Sequence, residues 1–201
     1  MQIIEPINTN DLSIVDTDVI NVQEDWADIA YPAEKLVAYG DIVYQAIDDI
    51  VQGTPAPSAI SEYWLEFGVV NKLKPFDGVI NSAATRDSSM WFELNITAKI
   101  EGLSFLSMRN VTSISISIVN NYTGLEIYQN TVDLFDVTTG GYGTEAVLVD
   151  LPRLGYHNTS ASITLFGNGT LYVGGILFGE VHDVGPANYG FSTSIIDYST
   201  K

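Results

Sequence analysis

The stretch Val-Thr-Ser-Ile-Ser-Ile-Ser-Ile-Val, residues 111–119, decides the fold of this chain. Isoleucine alternates with serine at every second position across it. Successive side chains of a β-strand point to opposite faces, so this pattern predicts a strand with one buried and one solvated face. β-Branched residues favour the same conformation.

The same alternation recurs upstream of this stretch, at residues 90–98, where Phe92, Leu94 and Ile96 share one face. Further strands are predicted at residues 125–129, 131–135, 146–151, 162–166 and 171–178. Turn signals rich in Gly and Asn separate them, at residues 120–124, 140–143 and 167–169. Short strands at this spacing, with no helical segment among them, predict an all-β chain in which residues 78–180 form a β-sandwich of jelly-roll type.

Upstream of the sandwich, residues 26–70 predict a small three-stranded β unit. The Gly40-Asp41 pair between two short apolar runs is a hairpin signal. The Gly-Thr-Pro-Ala-Pro segment at residues 53–57 cannot pair in a sheet, since proline lacks the N–H donor. Residues 58–64 are expected to form one helical turn capped by Ser58. The expected packing anchors are aromatic: Trp26, Tyr31, Tyr39, Tyr44 and Trp64.

The aromatic pattern of this unit resembles the small chitin-binding-type carbohydrate-binding module. The matching positions are Trp26, Tyr31, Val37, Tyr39, Val43, Tyr44, Ala46, Gly53, Pro55 and Trp64. The chain departs from that pattern at Glu34-Lys35, and again at Ile47-Asp48-Asp49, where the family has sugar-stacking aromatics. The resemblance therefore implies a retained scaffold that has lost its sugar platform and does not bind chitin.

Residues 71–77 form a joint between the small unit and the sandwich. The pattern from Phe67-Gly68 through Asn71-Lys72 to Phe76-Asp77, with the late Tyr189-Gly190 and Asp197-Tyr198-Ser199, is similar to uncharacterised virion proteins of tailed phages. This resemblance implies a tail-associated structural protein of a fibre, spike or baseplate. It also implies contacts with other virion subunits and a homo-oligomer, for which a trimer is the first expectation.

The two ends of the chain are predicted to be docking segments. Residues 1–25 show no helical period but carry several isolated apolar side chains, so we expect an extended arm that is ordered only on another surface, such as a neighbouring subunit. Residues 181–201 carry Ile195 and Ile196 and are expected to dock in the same way.

The formal charge of −17, with 8 basic against 25 acidic residues, argues against nucleic acid and anionic membrane surfaces as partners. Cysteine is absent, so disulfides and thiolate chemistry are excluded. The N-terminus lacks the pattern of a signal peptide, and we expect synthesis in a host cytoplasm and a final place in the virion tail. Five Asn-x-Ser/Thr triplets, at Asn95, Asn110, Asn121, Asn158 and Asn168, are interpreted as chance products of a Ser- and Thr-rich β chain.

No pattern in the sequence predicts an enzyme, a metal site or a cofactor. His157 and His182 stand apart, without the spacing of a metal site or a catalytic triad. The acidic pairs Asp16/Asp18 and Asp48/Asp49 could hold calcium, but they lack the alternating ligand run and are interpreted as solvated. The best candidates for contact with a glycan or partner are loop tyrosines: Tyr122, Tyr142 and Tyr156.

Two functions remain open at this point. One is a non-enzymatic structural protein of a phage tail whose sandwich contacts host-surface glycans. The alternative is a stand-alone carbohydrate-binding protein, or an accessory module of a glycan-degrading system.

Overall fold

The computed structural model describes residues 2–79, 81–136, 141–142, 146–152 and 157–183. The chain divides into two compact units: the sandwich, Met1–Val19 with Lys74–Lys201, and the small unit, Ile20–Leu73. The strands in chain order are β1 (Gln2–Pro6), β2 (Leu12–Thr17), β3 (Leu36–Tyr39), β4 (Ile42–Ala46), β5 (Trp64–Val69), β6 (Ala84–Ile96), β7 (Gly102–Asn120), β8 (Glu126–Asp133), β9 (Phe135–Asp136), β10 (Gly141–Tyr142), β11 (Ala146–Asp150) and β12 (Thr159–Asp183). Short 3-10 helices lie at Thr9–Asp11 and Asn71–Phe76. Within these ranges there is no helix long and apolar enough to cross a membrane.

The sandwich is built on three long antiparallel strands, β6, β7 and β12, which join all its layers into one seven-stranded hydrogen-bonded sheet. The front layer has the strand order β2, β6, β12, β7, β8, and it uses residues 89–96 of β6, 159–166 of β12 and 111–120 of β7. The back layer uses the other ends of the same long strands, with β11 beside β7 and β1 beside β12. Each long strand therefore contributes one end to the front layer and the other end to the back layer.

The register of the long strands breaks at one level, between the two layers. Pairing of β12 with β6 shifts between Phe166 and Thr170, and pairing with β7 shifts around Gly167. A methyl group on Gly167 would overlap the carbonyl oxygen of Asn110, so only glycine allows this close approach of two backbones. The break is a bulge inside one continuous strand rather than the turn expected at residues 167–169.

The sandwich core is apolar and continuous across both layers. The isoleucines of residues 111–119 are fully buried, as their alternation predicts, and they share one cluster with Phe92 of β6 and Phe105 and Phe178 of the back layer. Burying each such side chain contributes about 1.5–3 kcal/mol before ordering costs. Phe76, from the predicted joint, packs edge-to-face on Phe92 at 5.4 Å between ring centroids.

The small unit is a three-stranded antiparallel sheet with the order β3, β4, β5. Its hairpin turns at Gly40, whose φ of 64° suits a glycine. Tyr31 and Trp64 meet edge-to-face at 5.7 Å in its core. The Trp64 indole N–H donates to the Pro55 carbonyl at 3.1 Å and so fixes the proline-rich loop.

The all-β prediction, with a small three-stranded unit and a jelly-roll-type sandwich, is confirmed, but the order of the parts differs. Strands β1 and β2 belong to the sandwich, so the small unit is inserted into it after Val19 instead of preceding it. Residues 2–6 and 12–17 of the arm expected at residues 1–25 are therefore strands of the sandwich in the same chain. β1 pairs with β12 and β2 pairs with β6 of the same chain, and Ile7, Leu12 and Ile14 pack against the sandwich core, whereas Ile3, Val15 and Ile20 stay exposed.

Smaller expectations also need correction. Residues 58–64 make a single turn, in which the Ser61 amide donates to the Ser58 carbonyl at 3.1 Å, and Trp64 begins β5. Predicted strands 125–129 and 131–135 are one strand, β8, which ends at Asp133. Residues 102–110 had no predicted strand but belong to β7. Of the expected C-terminal docking segment, residues 181–183 end β12, and the rest lies outside the described residues.

Candidate functional site

A hydrogen-bonded cluster of amide and hydroxyl side chains lies at one end of the front layer. We call it the amide cluster: Asn95, Asn121, Asn158 and Ser160. The Ser160 hydroxyl is 2.7 Å from the Asn121 side-chain oxygen and 3.0 Å from that of Asn95. The Asn121 amide nitrogen lies 3.3 Å from the Asn158 oxygen and 3.5 Å from the Asn95 oxygen. The cluster joins β6, β12 and the turn after β7 at the protein surface.

The turn after β7 presents Tyr122 beside this cluster. The Asn120 side chain accepts hydrogen bonds from the Tyr122 and Thr123 amides at 2.9 and 3.1 Å, a local pattern that Asn favours in turns. The Asn121 amide donates to the Asn158 carbonyl at 3.0 Å and ties the turn to the start of β12. The Tyr122 side chain is left 78% exposed. The hydrogen-bonded turn therefore presents an exposed tyrosine one residue after Asn121 of the amide cluster.

A second polar group surrounds Lys99 on the sandwich. Its ammonium lies 2.9 Å from both Glu101 and Glu180. Hydrogen bonds to these carboxylates raise the pKa of Lys99, and the bond to Glu101 has the larger effect. Lys99 lines an open cavity of about 430 Å³ together with Glu5 and His157. A lysine whose pKa is raised stays charged and cannot act as a general base at neutral pH.

The structure brings both histidines to the neighbourhood of one carboxylate. His182 lies 3.0 Å from Glu5, and His157 lines the same cavity as Glu5. The sequence gives no sign of this, because the three residues are far apart in the chain. Even so, no group of three or more His, Asp or Glu side chains suited to a metal ion occurs among the described residues.

Three of the four acidic residues that suggested calcium, Asp16, Asp18 and Asp49, have structural partners. Asp18 lies 3.0 Å from the Arg86 guanidinium and accepts from the Trp91 amide at 2.8 Å. Asp16 accepts from the Thr17 amide at 2.9 Å. In the small unit, Asp49 accepts from the Ala33 amide at 2.9 Å. These bonds stabilise local backbone and do not converge on a cation site.

Of the three predicted contact tyrosines, Tyr122 alone has a described side chain. The backbone of Tyr142 lies in β10, paired with Phe135 of β9, and Tyr156 falls outside the described residues. Among the predicted anchors of the small unit, Tyr31, Tyr44 and Trp64 are buried, and Trp26 packs edge-to-face on the half-exposed Tyr39 at 5.5 Å.

The amide cluster was missed by reasoning from the sequence. Three of its residues, Asn95, Asn121 and Asn158, begin Asn-x-Ser/Thr triplets that were interpreted as chance. Their meeting depends on strand pairings across 26 and 37 residues, which single-sequence patterns do not specify. Repeated short polar motifs at strand ends were the available signal.

The small unit carries an exposed apolar strip on its edge strand. Tyr63, Leu65 and Phe67, in β5 and the residue before it, are 41%, 55% and 61% exposed, and Phe67 lies at an irregularity in the pairing of β5 with β4. The nearby Ile47-Asp48-Asp49 segment is exposed and offers no aromatic ring. A sheet edge with exposed apolar side chains is typical of a contact surface.

No protein-family model matches the sequence, and the comparison with curated proteins gives no match. The chain is distantly similar to the third family-32 carbohydrate-binding module of a family 31 glycoside hydrolase from Clostridium perfringens, at 11% identity and a TM-score of 0.39, over 87% of this chain and 94% of that chain. It is also similar to the N-terminal domain of the single-strand break repair protein XRCC1, at 9% identity and a TM-score of 0.37, over 52% and 82%. A third similarity is to tailspike protein 4 of bacteriophage CBA120, at 10% identity and a TM-score of 0.32, over 86% and 20%. Such distant similarities assign no function, and the fold described above rests on the strand pairing of this chain.

Proposed function

We propose that this chain is a non-enzymatic virion protein of a tailed phage, associated with the tail, whose sandwich contacts glycans on the host surface. The observation that carries the glycan contact is the amide cluster beside the exposed ring of Tyr122. Amide and hydroxyl groups can donate to and accept from sugar hydroxyls, while an aromatic ring packs on the apolar face of a sugar. Polar groups converging beside an aromatic side chain are typical of small-molecule sites.

The place in a virion is supported by the resemblance of the joint to phage proteins. Two joint residues have clear structural roles. Asn71 is buried in the small unit, where its side chain donates to the Ile20 carbonyl at 3.0 Å, and the partly buried Phe76 packs against the sandwich core.

The lack of catalysis is supported by how the polar groups are used. Lys99 is held between two carboxylates, and Asp18 is engaged by Arg86 and by the backbone. Neither group is available as a base or nucleophile.

Contact with other virion subunits is assigned to the apolar strip of the small unit, Tyr63, Leu65 and Phe67. The small unit carries nine acidic and two basic residues, and both lysines pair with carboxylates of the same unit. A partner surface with basic residues around an apolar centre fits this charge. The assembly is proposed to be a symmetric homo-oligomer, with a trimer as the first expectation.

Mass spectrometry of purified particles, combined with a glycan array of the full chain, tests the proposal. The expected result is the chain in stoichiometric amounts in particles and binding to glycans without release of sugar products. Absence from particles removes the virion role, and turnover of a glycan contradicts the non-enzymatic role.

The second candidate is a stand-alone carbohydrate-binding protein or an accessory module of a glycan-degrading system. The amide cluster and Tyr122 favour this candidate equally, because they support glycan contact but do not indicate whether the chain belongs to a virion or to a glycan-degrading system. Neighbouring genes separate the two candidates, since tail genes favour the virion protein and hydrolase genes favour the accessory module.

A further inference from the structure

The outer face of the front layer continues the amide cluster as a field of short polar side chains. On β12, Ser160, Ser162 and Thr164 alternate with the buried Ala161, Ile163 and Leu165, so they point away from the core. The neighbouring strand β7 contributes serines in register: Ser117 pairs with Ser162, and Ser115 pairs with Thr164. Two adjacent central strands thus present small hydroxyl side chains to solvent.

Larger polar and aromatic side chains border these central rows. On β6, Trp91, Glu93 and Asn95 alternate with the buried core residues, opposite Thr164, Ser162 and Ser160. On β8, Gln129 and Thr131 lie opposite Ser117 and Ser115. The half-buried Trp91 marks one end of the face, and the amide cluster with Tyr122 marks the other. Four residues along a strand span about 13 Å, so the face is long enough for more than one sugar unit.

The charged side chains of these front-layer segments are all acidic. The segments that form the front layer, β2, β8 and residues 89–96, 111–120 and 159–166, contain no lysine, arginine or histidine, whereas they carry Asp16, Glu93, Glu126 and Asp133. Beyond the Trp91 end, Arg86 of β6 is paired with Asp18. Carboxylate and sulfate groups are bound most strongly by arginine and lysine, so these segments have no cationic donor for an anionic sugar, and their carboxylates repel it.

We propose that the outer face of the front layer, from the amide cluster and Tyr122 to Trp91, binds a neutral glycan chain and rejects sialylated, sulfated and uronic-acid glycans. The inference rests on the proposed glycan contact and adds both the extent of the site and the class of its ligand. Hydroxyl and amide groups bind the sugar hydroxyls, and the two aromatic residues contact apolar sugar faces at the ends.

The test uses the full chain on an array of neutral glucose, galactose and N-acetylglucosamine oligosaccharides beside sialylated, sulfated and uronic-acid oligosaccharides. The affinity for the best neutral oligosaccharide is then measured by calorimetry for wild type, for Ser162→Arg and for the control Ser58→Arg. Ser162 sits at the centre of the face, between Glu93 and Ser117, whereas Ser58 is an exposed residue of the small unit. Both substitutions add the same bulk and charge at the surface, and circular dichroism checks that both variants are folded.

We expect neutral oligosaccharides to bind, Ser162→Arg to weaken the affinity by about tenfold or more, and Ser58→Arg to leave it unchanged. Neutral binding that is unaffected by Ser162→Arg overturns the extended face. Preferential binding of anionic glycans overturns the ligand class while leaving the proposed glycan contact intact. Binding of no glycan on the array overturns the proposed function and this inference together.

Discussion

At the scale of single residues, Asn71 of the joint has a structural role that its side-chain hydrogen bond explains. Its side chain is 1% exposed and donates to the carbonyl of Ile20, which joins the first and last parts of the small unit. Asn71→Ala removes the donor and leaves a buried carbonyl without this partner. We expect the free energy of unfolding to fall by about 1–3 kcal/mol in urea titrations followed by tryptophan fluorescence.

The matched control is Asn10→Ala, at an exposed position, for which a change within about 0.5 kcal/mol is expected. An equal loss of unfolding free energy in the two variants would contradict the stabilising role of the Asn71 hydrogen bond.

Asp77, the last residue of the joint, makes stability depend on pH in a defined direction. Burial raises the pKa of its carboxyl above the ordinary 3.8, although a hydrogen bond from the Val79 amide opposes the shift. The folded state therefore holds the Asp77 proton more tightly than the unfolded state, and this group's contribution favours folding more as pH falls from above the raised pKa to below 3.8. We expect Asp77→Asn, relative to wild type, to be more favourable to stability at pH 7 than at pH 3.

Chemical denaturation of wild type and Asp77→Asn at the two pH values measures this difference. An equal effect of the substitution at both values contradicts the raised pKa.

At the scale of elements, β1 is part of the sandwich of its own chain. The pairing of β1 with β12 requires glycine at position 179, because a methyl group there would overlap the carbonyl oxygen of Glu5. We expect β1 amides to be protected from hydrogen exchange in the monomer. Gly179→Ala should abolish that protection and leave the amides of residues 111–119 protected.

Gly175→Ala is the control in the same strand. Its added methyl would meet the Leu106 Cβ at 3.3 Å, a much milder contact than the overlap with the Glu5 carbonyl at Gly179, so β1 should stay paired. Unprotected β1 amides in the wild-type monomer would instead restore an arm that is ordered only in an assembly.

The elements also show how far the sequence predicts the structure. Strict alternation at residues 111–119 and 90–98 is enough to place strands and their buried faces. The continuity of β12 could not be predicted, because Gly167 and Gly169 have the composition of a turn and only the pairing on both sides makes them a bulge. The place of β1 was missed for a similar reason, since its partner strand lies about 175 residues away.

At the scale of the whole molecule, the small unit is an insertion with a core of its own. Its buried cluster around Tyr31 and Trp64 shares no residue with the sandwich cluster. Replacement of residues 20–73 by a short Gly/Ser linker should therefore leave a sandwich that unfolds cooperatively in scanning calorimetry. Loss of any cooperative transition would show that the sandwich needs the insertion to fold.

The central claim, a glycan contact on the sandwich and not on the small unit, has one direct measurement. Backbone amide shifts of the isotope-labelled full chain are recorded by NMR while a neutral oligosaccharide selected on the array is added. The account predicts that shifts change at Asn95, Asn121, Tyr122 and Ser160 and along the outer face of the front layer, and stay constant in residues 20–73. Shifts confined to the small unit, or no shifts at saturating sugar, contradict it.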